Sequence, residues 1–411
     1  MRAAFVICEY NPFHLGHAHH IKTLKTQCNP DVVVGIMSGN FLQRGTPALC
    51  SKFQRAQIAL AGGVDLVLEM PLIYATSSAE FFARGGVGIA SSFGENHLLC
   101  FGSESGSLEE IITAARLLLE NKDSLDPLIR AQLKKGHRYP KAREEALVQL
   151  FGNEWAHGLL GQPNNILALE YAKEHLRRSS PLTLHTIPRQ GMGYHEEQED
   201  PTLLPSATAL RSALAQGNLD AVRSGMPEKA FALFQQALKE RKLPEGDPLK
   251  DLLALTLTYH PESLMTLPEA RDGLGERMLK ARGILRHGTL KDFQAAVATK
   301  RYPNTRIQRL ILHACLGLAA LDYETERQRD PRYSLILSLN EKGAAFLAHT
   351  RGQRSLPIVQ SLKNLPREWT APDVRASECY HALDAAYDPL WDFTHPLRIT
   401  PSALTKKGPL P

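Results

Sequence analysis

Near the start of the chain, Glu9-Tyr10-Asn11-Pro12-Phe13-His14-Leu15-Gly16-His17 gathers groups that can handle phosphate. The segment follows an apolar run, Ala3–Cys8, and leads into a helix-like stretch over His17–Thr26. A helix N-terminus there offers backbone N–H groups to an anion. Gly16 lets the backbone approach closely, and His14 and His17, three apart, share one side of the first turn. Two imidazoles so placed, cationic or neutral, can donate to phosphate oxygens. They would stabilise charge building on an α-phosphate and on leaving pyrophosphate. With His19 and His20 the same histidines could instead hold a metal or form a surface cluster without function. No residue is assigned as a metal ligand.

Elements that could position this segment recur through the first half. Short apolar runs at Ala3–Cys8, Val32–Met37, Leu66–Met70, Leu98–Phe101 and Leu182–Ile187 read as strands buried on both faces. Between them lie helical patterns at Lys52–Ala61, Ala79–Phe93, Ser107–Glu120 and Ile166–Arg177. This alternation predicts an α/β fold with a doubly wound parallel sheet, whose ligands sit beyond the carboxyl ends of the strands. After about Leu214 the text becomes mainly helical, with possible strands only at Ser334–Leu339 and near Ile358. The expected organisation is a catalytic domain over 1–215 containing the whole sheet, a mainly helical domain over 216–400, and a frayed tail over 401–411.

Composition narrows the class. The 411 residues are 43% hydrophobic and 22% charged, and no apolar run approaches the ~20 residues of a membrane helix. Six scattered cysteines contain no C-x-x-C pair, and the N-terminus enters a strand without the layout of a signal peptide. A reducing cytoplasm is the expected home and no membrane partner is expected. Residues 1–200 carry 19 Lys/Arg against 21 Asp/Glu. The total of 48 against 43 therefore leaves 29 against 22 in the second half, a net of +7 that suits a polyanion partner. The charge concentrates in 271–309, with ten basic residues and three acidic ones. Lys280, Arg282, Arg286, Lys300, Arg301 and Arg306 are candidate phosphate contacts, with Tyr302 and His287 available to stack on bases. A solvated face is the plainer alternative, and Arg306 and Arg309 could pair internally.

The H-x-G-H pattern directly after the first strand resembles the signature of the nucleotidyltransferase superfamily, which implies a Rossmann-like sheet. Ser206-Ala207-Thr208-Ala209-Leu210-Arg211 resembles the helix start that adenylyltransferases set against ATP phosphates, with Pro205 and Ala207 departing from the usual pattern. Taken alone, Ser206 reads as a helix N-cap. A more specific likeness runs from residue 3 to at least 320. It comprises Glu9–His17, Met37-Ser-Gly-Asn-Phe-Leu-Gln-Arg-Gly-Thr-Pro47, Gly63-Val-Asp-Leu-Val-Leu-Glu-Met-Pro71, Cys100-Phe-Gly-Ser-Glu104, Pro163-Asn-Asn-Ile-Leu167, Gly191-Met-Gly-Tyr-His195 and Thr299-Lys-Arg-Tyr-Pro-Asn-Thr-Arg306. In this order they resemble the bacterial tRNA(Met) cytidine acetate ligase family.

The resemblance implies ATP-dependent joining of acetate to N4 of the wobble cytidine, in the anticodon loop of elongator tRNA(Met), through acetyl-adenylate and with Mg²⁺. It implies His14 and His17 as catalytic residues. ATP would lie along Ile7, Cys8, Glu9, Tyr10, Asn11, Pro12, Phe13, His14, Leu15, Gly16, His17, Ala18, His19 and His20, with Gly102, Asn164 and Arg189 completing the pocket. Ser206, Thr208 and Arg211 are possible phosphate contacts. Asn164 could also cap a helix starting near Ile166. Ser38-Gly39-Asn40 and Arg44 are expected to face the crevice, and Lys52 and Arg55 are candidates for phosphate neutralisation. Three alternatives remain: a small-molecule adenylyltransferase making a nucleotide cofactor, a relative of class I aminoacyl-tRNA synthetases, and a non-catalytic RNA-binding module. The synthetase reading lacks a K-M-S-K-S segment, and the intact His14, Gly16 and His17 speak against the non-catalytic one.

Overall fold

The computed structural model describes residues 1–137, 139–152, 162–189, 205–397 and 399–400. The Gly191–His195 motif and the 401–411 tail lie outside the described residues.

The five expected strands form as β1 (Ala3–Cys8), β2 (Val32–Ser38), β3 (Leu66–Met70), β4 (Leu98–Ser103) and β5 (Thr183–Pro188), all paired in parallel. Helices Leu15–Cys28 and Lys52–Ala61 make the first two crossovers. The chain then passes back over β1 to place β4 and β5 on its other side. All seven residues of β2 are buried, as expected of a strand covered on both faces. The two faces divide the strands by alternation. Ala4, Val6, Val33 and Met37 join one apolar cluster, while Ala3, Phe5, Val34 and Ile36 join the other.

The sheet is not confined to residues before 215. β6 (Ser334–Asn340) pairs antiparallel with β3, and β7 (Ile358–Val359) and β8 (Ile399–Thr400) pair in parallel with opposite ends of β6. All seven residues of β6 are buried, and its pairing covers β3, which would otherwise be a sheet edge. The first apolar cluster likewise runs without a break from Ala4 and Val33 to Leu253, Phe293, Leu310 and Tyr380 in the helical half.

A buried ionic cluster fastens the end of the chain to the sheet. Lys52 Nζ lies 2.8 Å from both Glu69 carboxylate oxygens and 2.7 Å from Asp392 Oδ1, and all three side chains are shielded from solvent. Asp392 also accepts from Ser377 Oγ at 2.6 Å, and Asp373 accepts from Leu72 N and from the Tyr333 hydroxyl. Lys52 was expected to face phosphate; the structure corrects this, since its ammonium is enclosed by carboxylates.

Candidate active site

The crevice opens where two neighbouring strands part. β4 pairs with β1 only at Ala4↔Leu98 and Phe5↔Leu99, whereas both strands run on, to Cys8 and Ser103. Beyond Phe5 and Leu99 the ladder stops and the strand ends splay, at the point where strand order reverses. β4 stays paired with β5 to Ser103↔Pro188, so Gly102 sits inside β4 rather than after it. Arg189 follows β5 and donates its backbone N–H to Ser103 O at 3.0 Å. A Cβ on Gly102 would stand 3.3 Å from Arg189 Cγ, so the glycine leaves room for that side chain beside the crevice.

The loop leaving β1 is held from below. Tyr10 takes φ +48°, and its ring packs 4.9 Å from both Phe13 and His17. Phe13 is buried against Gly62, where any Cβ would overlap the phenyl ring. Asn11 accepts from Leu49 N at 2.8 Å through its side chain, and its carbonyl accepts from Arg211 Nη1 at 2.8 Å. Glu9 accepts from Gln43 N at 2.6 Å. Arg55, expected to neutralise phosphate, is instead buried beneath this loop. It donates to the carbonyls of Glu9, Ser38, Gly39 and Cys50, tying the loops after β1 and β2 together.

His14 caps helix Leu15–Cys28 in a reciprocal arrangement with His17. Gly16 N donates to His14 Nδ1 at 3.0 Å, and His14 N donates to His17 Nδ1 at 3.2 Å. A ring nitrogen that accepts an N–H carries the lone pair, so each neutral ring bears its proton on Nε2. The rings stack with centroids 3.7 Å apart. Gly16 is required by this packing, because a Cβ would lie 2.8 Å from His14 Cε1. Free helix N–H groups were expected to meet the phosphates, and the structure corrects this. Leu15 N donates to Gly225 O, Gly16 N to His14 Nδ1 and His17 N to His14 O. The candidate donors to an anion are the two Nε2–H groups and the Arg189 guanidinium, while the Arg211 guanidinium already donates to Asn11 O and Thr208 Oγ1.

Burial, followed by the charges of Arg189 and Arg211, lowers the His14 pKa to about 4; burial likewise lowers His20 to about 4 and pushes His17 down. The rings are therefore neutral near pH 7. In the unfolded chain they take up protons near pH 6.5, so their contribution is intact above that pH and lost as pH falls toward 4. The His14 shift is worth about 3 kcal/mol at full effect. His14→Asn, which keeps a capping acceptor, should thus lose less stability than the unmodified protein between pH 7.5 and 4.5. Thermal melts at several pH values check this, and parallel pH profiles would refute it.

Other expected residues take mixed places. Ser206 caps helix Ala207–Ala215 by accepting from Ala209 N, and Thr208 Oγ1 accepts from Arg211 Nη2 at 2.9 Å. Arg211 thereby reaches the His14 loop from a helix about 200 residues away in the chain. Asn164 is not the cap of its helix, which starts at Pro163. It lies in the first turn, and its N–H and side-chain amide donate to Glu104, whose other oxygen accepts from Asn165 N at 2.7 Å. Asn165 returns the contact by accepting from Glu104 N at 2.8 Å. Burial pushes the Cys8 thiol pKa far up, which disfavours its thiolate. Glu104 and Arg55 were missed as organisers because single charged residues carry no spacing signal.

The basic stretch also departs from expectation. Helix Leu274–Ala281 ends before Arg282, and Arg282–Arg286 is a 3₁₀ turn, so residues four apart there do not share a face. Lys280, Arg282, Arg286, Lys300 and Arg301 are exposed. Arg306 is tied to the carbonyls of Glu269 and Arg271 and to Asp272 Oδ2. Tyr302 is buried and donates to Asp272 O, so it is not a free stacking surface.

The sequence matches the HIGH Nucleotidyl Transferase family over residues 1–389. It is 31% identical over 401 residues to the tRNA(Met) cytidine acetate ligase of Clostridium acetobutylicum, covering 96% of this chain and 98% of that one. It is 34% identical over 402 residues to its namesake from Clostridium tetani, with the same coverage. The fold is similar to Thermotoga maritima TmcAL bound with alpha-thio ATP (TM-score 0.83, 32% identity, 93% of this chain and 95% of that one). It is also similar to the apo form (TM-score 0.86, 32% identity, 96% and 98%). The chain therefore belongs to the HIGH nucleotidyltransferase family and, within it, to the tRNA(Met) cytidine acetate ligases.

Proposed function

We propose that the protein joins acetate to N4 of the wobble cytidine of elongator tRNA(Met), consuming ATP. The observation that carries this reading is the pair of neutral histidines at the splayed ends of β1 and β4, each ring holding its Nδ1 on a backbone N–H so that its Nε2–H can meet an anion. ATP lies along Ile7–His20 with Gly102, Asn164 and Arg189 beside it. An acetate oxygen attacks the α-phosphorus and pyrophosphate leaves, giving acetyl-adenylate. His14, His17, Arg189 and Arg211 stabilise the charge that gathers on the phosphates. The cytidine N4 amine then attacks the acetyl carbonyl, loses a proton, and AMP departs. No enzyme nucleophile takes part.

Among the described residues no three His, Cys, Asp or Glu groups gather as a metal cage. Mg²⁺ typically keeps several waters and binds through substrate phosphates and one or two carboxylates, so it would enter with the nucleotide. The exposed cations Lys280, Arg282, Arg286, Lys300 and Arg301 are the proposed phosphate-tracking surface; Arg306 is left out because its guanidinium is engaged internally. No helix among the described residues is long and apolar enough to cross a membrane, and the cytoplasm is the proposed location.

Mass spectrometry of nucleosides from elongator tRNA(Met), after incubation with the protein, ATP and acetate, tests the reading. N4-acetylcytidine at the wobble position is expected. Pyrophosphate release without any modified nucleoside would favour a small-molecule adenylyltransferase instead.

A further inference from the structure

Helix Pro248–Tyr259 buries one side and leaves another bare. Leu249, Leu253 and Leu257 are buried, the last two in the main apolar cluster. Leu252, Leu255 and Tyr259 are 36%, 55% and 70% exposed. At 3.6 residues per turn these three fall within about 60° of one another around the axis, so they form one stripe. Among the described residues after 205, Tyr259 is the one Phe, Tyr or Trp that is exposed.

The helix packs against the Arg282–Arg286 turn, whose Leu285 enters the same cluster. Lys280, Arg282 and Arg286 are exposed in this neighbourhood and make no ion pair among the described residues. The acid on the helix next to the stripe, Asp251, is matched by Lys250 at 3.7 Å. An apolar stripe ending in a bare phenol, on a helix that packs against the turn carrying these cations, has the make-up of a surface for unpaired nucleotides. Bases stack on the ring while phosphates meet the guanidiniums. A second protein copy would need anions opposite these cations, and this half of the chain carries a net +7.

We propose that the Leu252–Leu255–Tyr259 face is a stacking platform for unpaired bases of the tRNA, with Arg282 and Arg286 contacting the adjoining phosphates. This rests on the tRNA reading above and adds a contact to it. Stacking and charge contacts differ in their response to salt. Losing a phosphate contact lowers the slope of log affinity against log salt by about 0.7–0.9, whereas losing a stack leaves the slope unchanged.

The test measures binding of the full-length protein to unmodified elongator tRNA(Met) at several salt concentrations. Tyr259→Ala should weaken binding about 5- to 150-fold with the wild-type slope, and Tyr259→Trp should restore it. Arg282→Ala/Arg286→Ala should weaken binding with a shallower slope. Acetate-dependent ATP–pyrophosphate exchange without tRNA should be unchanged in the two Tyr259 variants. Wild-type affinity in Tyr259→Ala overturns the platform while leaving the tRNA reading intact. So does a wild-type dimer in sedimentation that Tyr259→Ala converts to monomer, because the face then belongs to a second copy. A wild-type protein that binds no tRNA overturns both.

Discussion

Alanine at His14 or His17 should lower acetate-dependent ATP–pyrophosphate exchange by about 10²–10³-fold, the usual loss when one donor to developing transition-state charge is removed. The two side chains also hold one another, so alanine at either position removes a cap as well as a donor. Loss of a cap costs about 0.5–2 kcal/mol, and His14 is buried rather than at an exposed helix start. His14→Asn separates the effects, since its carbonyl can still accept from Gly16 N while no Nε2–H remains. Its melting temperature near pH 7.5 should stay close to wild type while exchange falls as far as in His14→Ala. Full exchange in a folded His14→Asn protein would remove His14 from the mechanism.

The second large effect concerns stability. Among the described residues Lys52 is the single cation between Glu69 and Asp392, and all three are enclosed. Burying one partner of an ion pair without the other costs about 3–5 kcal/mol. Lys52→Met should lower the urea midpoint accordingly at pH 8. Burial already lifts Glu69 to about 8 and Asp373 to about 6. An acid whose folded pKa is raised stabilises the fold below its unfolded pKa, and that contribution is lost as pH rises through the folded value. The deficit of Lys52→Met should therefore shrink on acidification toward pH 5, as the unpaired carboxyls take up protons. Lys52→Met with Glu69→Gln and Asp392→Asn should recover much of the loss at pH 8. A Lys52→Met protein within about 1 kcal/mol of wild type at pH 8 would show that the cluster is not what fastens residues 366–397 to the sheet.

Strands β1 to β4 could be read from the sequence because each is a short, largely apolar run covered on both faces, whereas the edge strand β5 mixes Thr and His with Leu and Ile and is only partly buried. The His14–His17 pair could be read because chemistry and helix start coincide within nine residues. What escaped depends on contacts between distant positions. Asp392 meets Lys52 across 340 residues, and nothing local marks either as the other's partner. Lys52 and Arg55 look like solvated helix charges in the sequence. Only the packed structure shows that the helix Lys52–Ala61 turns that side inward. The 3₁₀ turn at Arg282–Arg286 escaped for a smaller reason, since Gly283 and a change in winding are invisible to a 3.6-residue count. Tyr302 and Tyr259 carry the same side chain, and burial alone decides which of them could meet a base.

The antiparallel seam between β3 and β6 has a consequence for synthesis on the ribosome. β3 is complete at Met70, yet its outer partner begins at Ser334, so more than 260 residues must be translated before the seam can close. At roughly 5–20 residues per second that interval is on the order of 10–50 s. Throughout it the nascent chain carries a bare strand of Leu66, Val67 and Leu68 with open N–H and C=O groups, the kind of edge that recruits other strands. Ribosome stalling, or a premature stop between residues 215 and 334, would yield sticky chains rather than a small working nucleotide-binding unit. Holdase chaperones would be expected to engage this polypeptide over that window and to release it once Ser334–Asn340 has emerged.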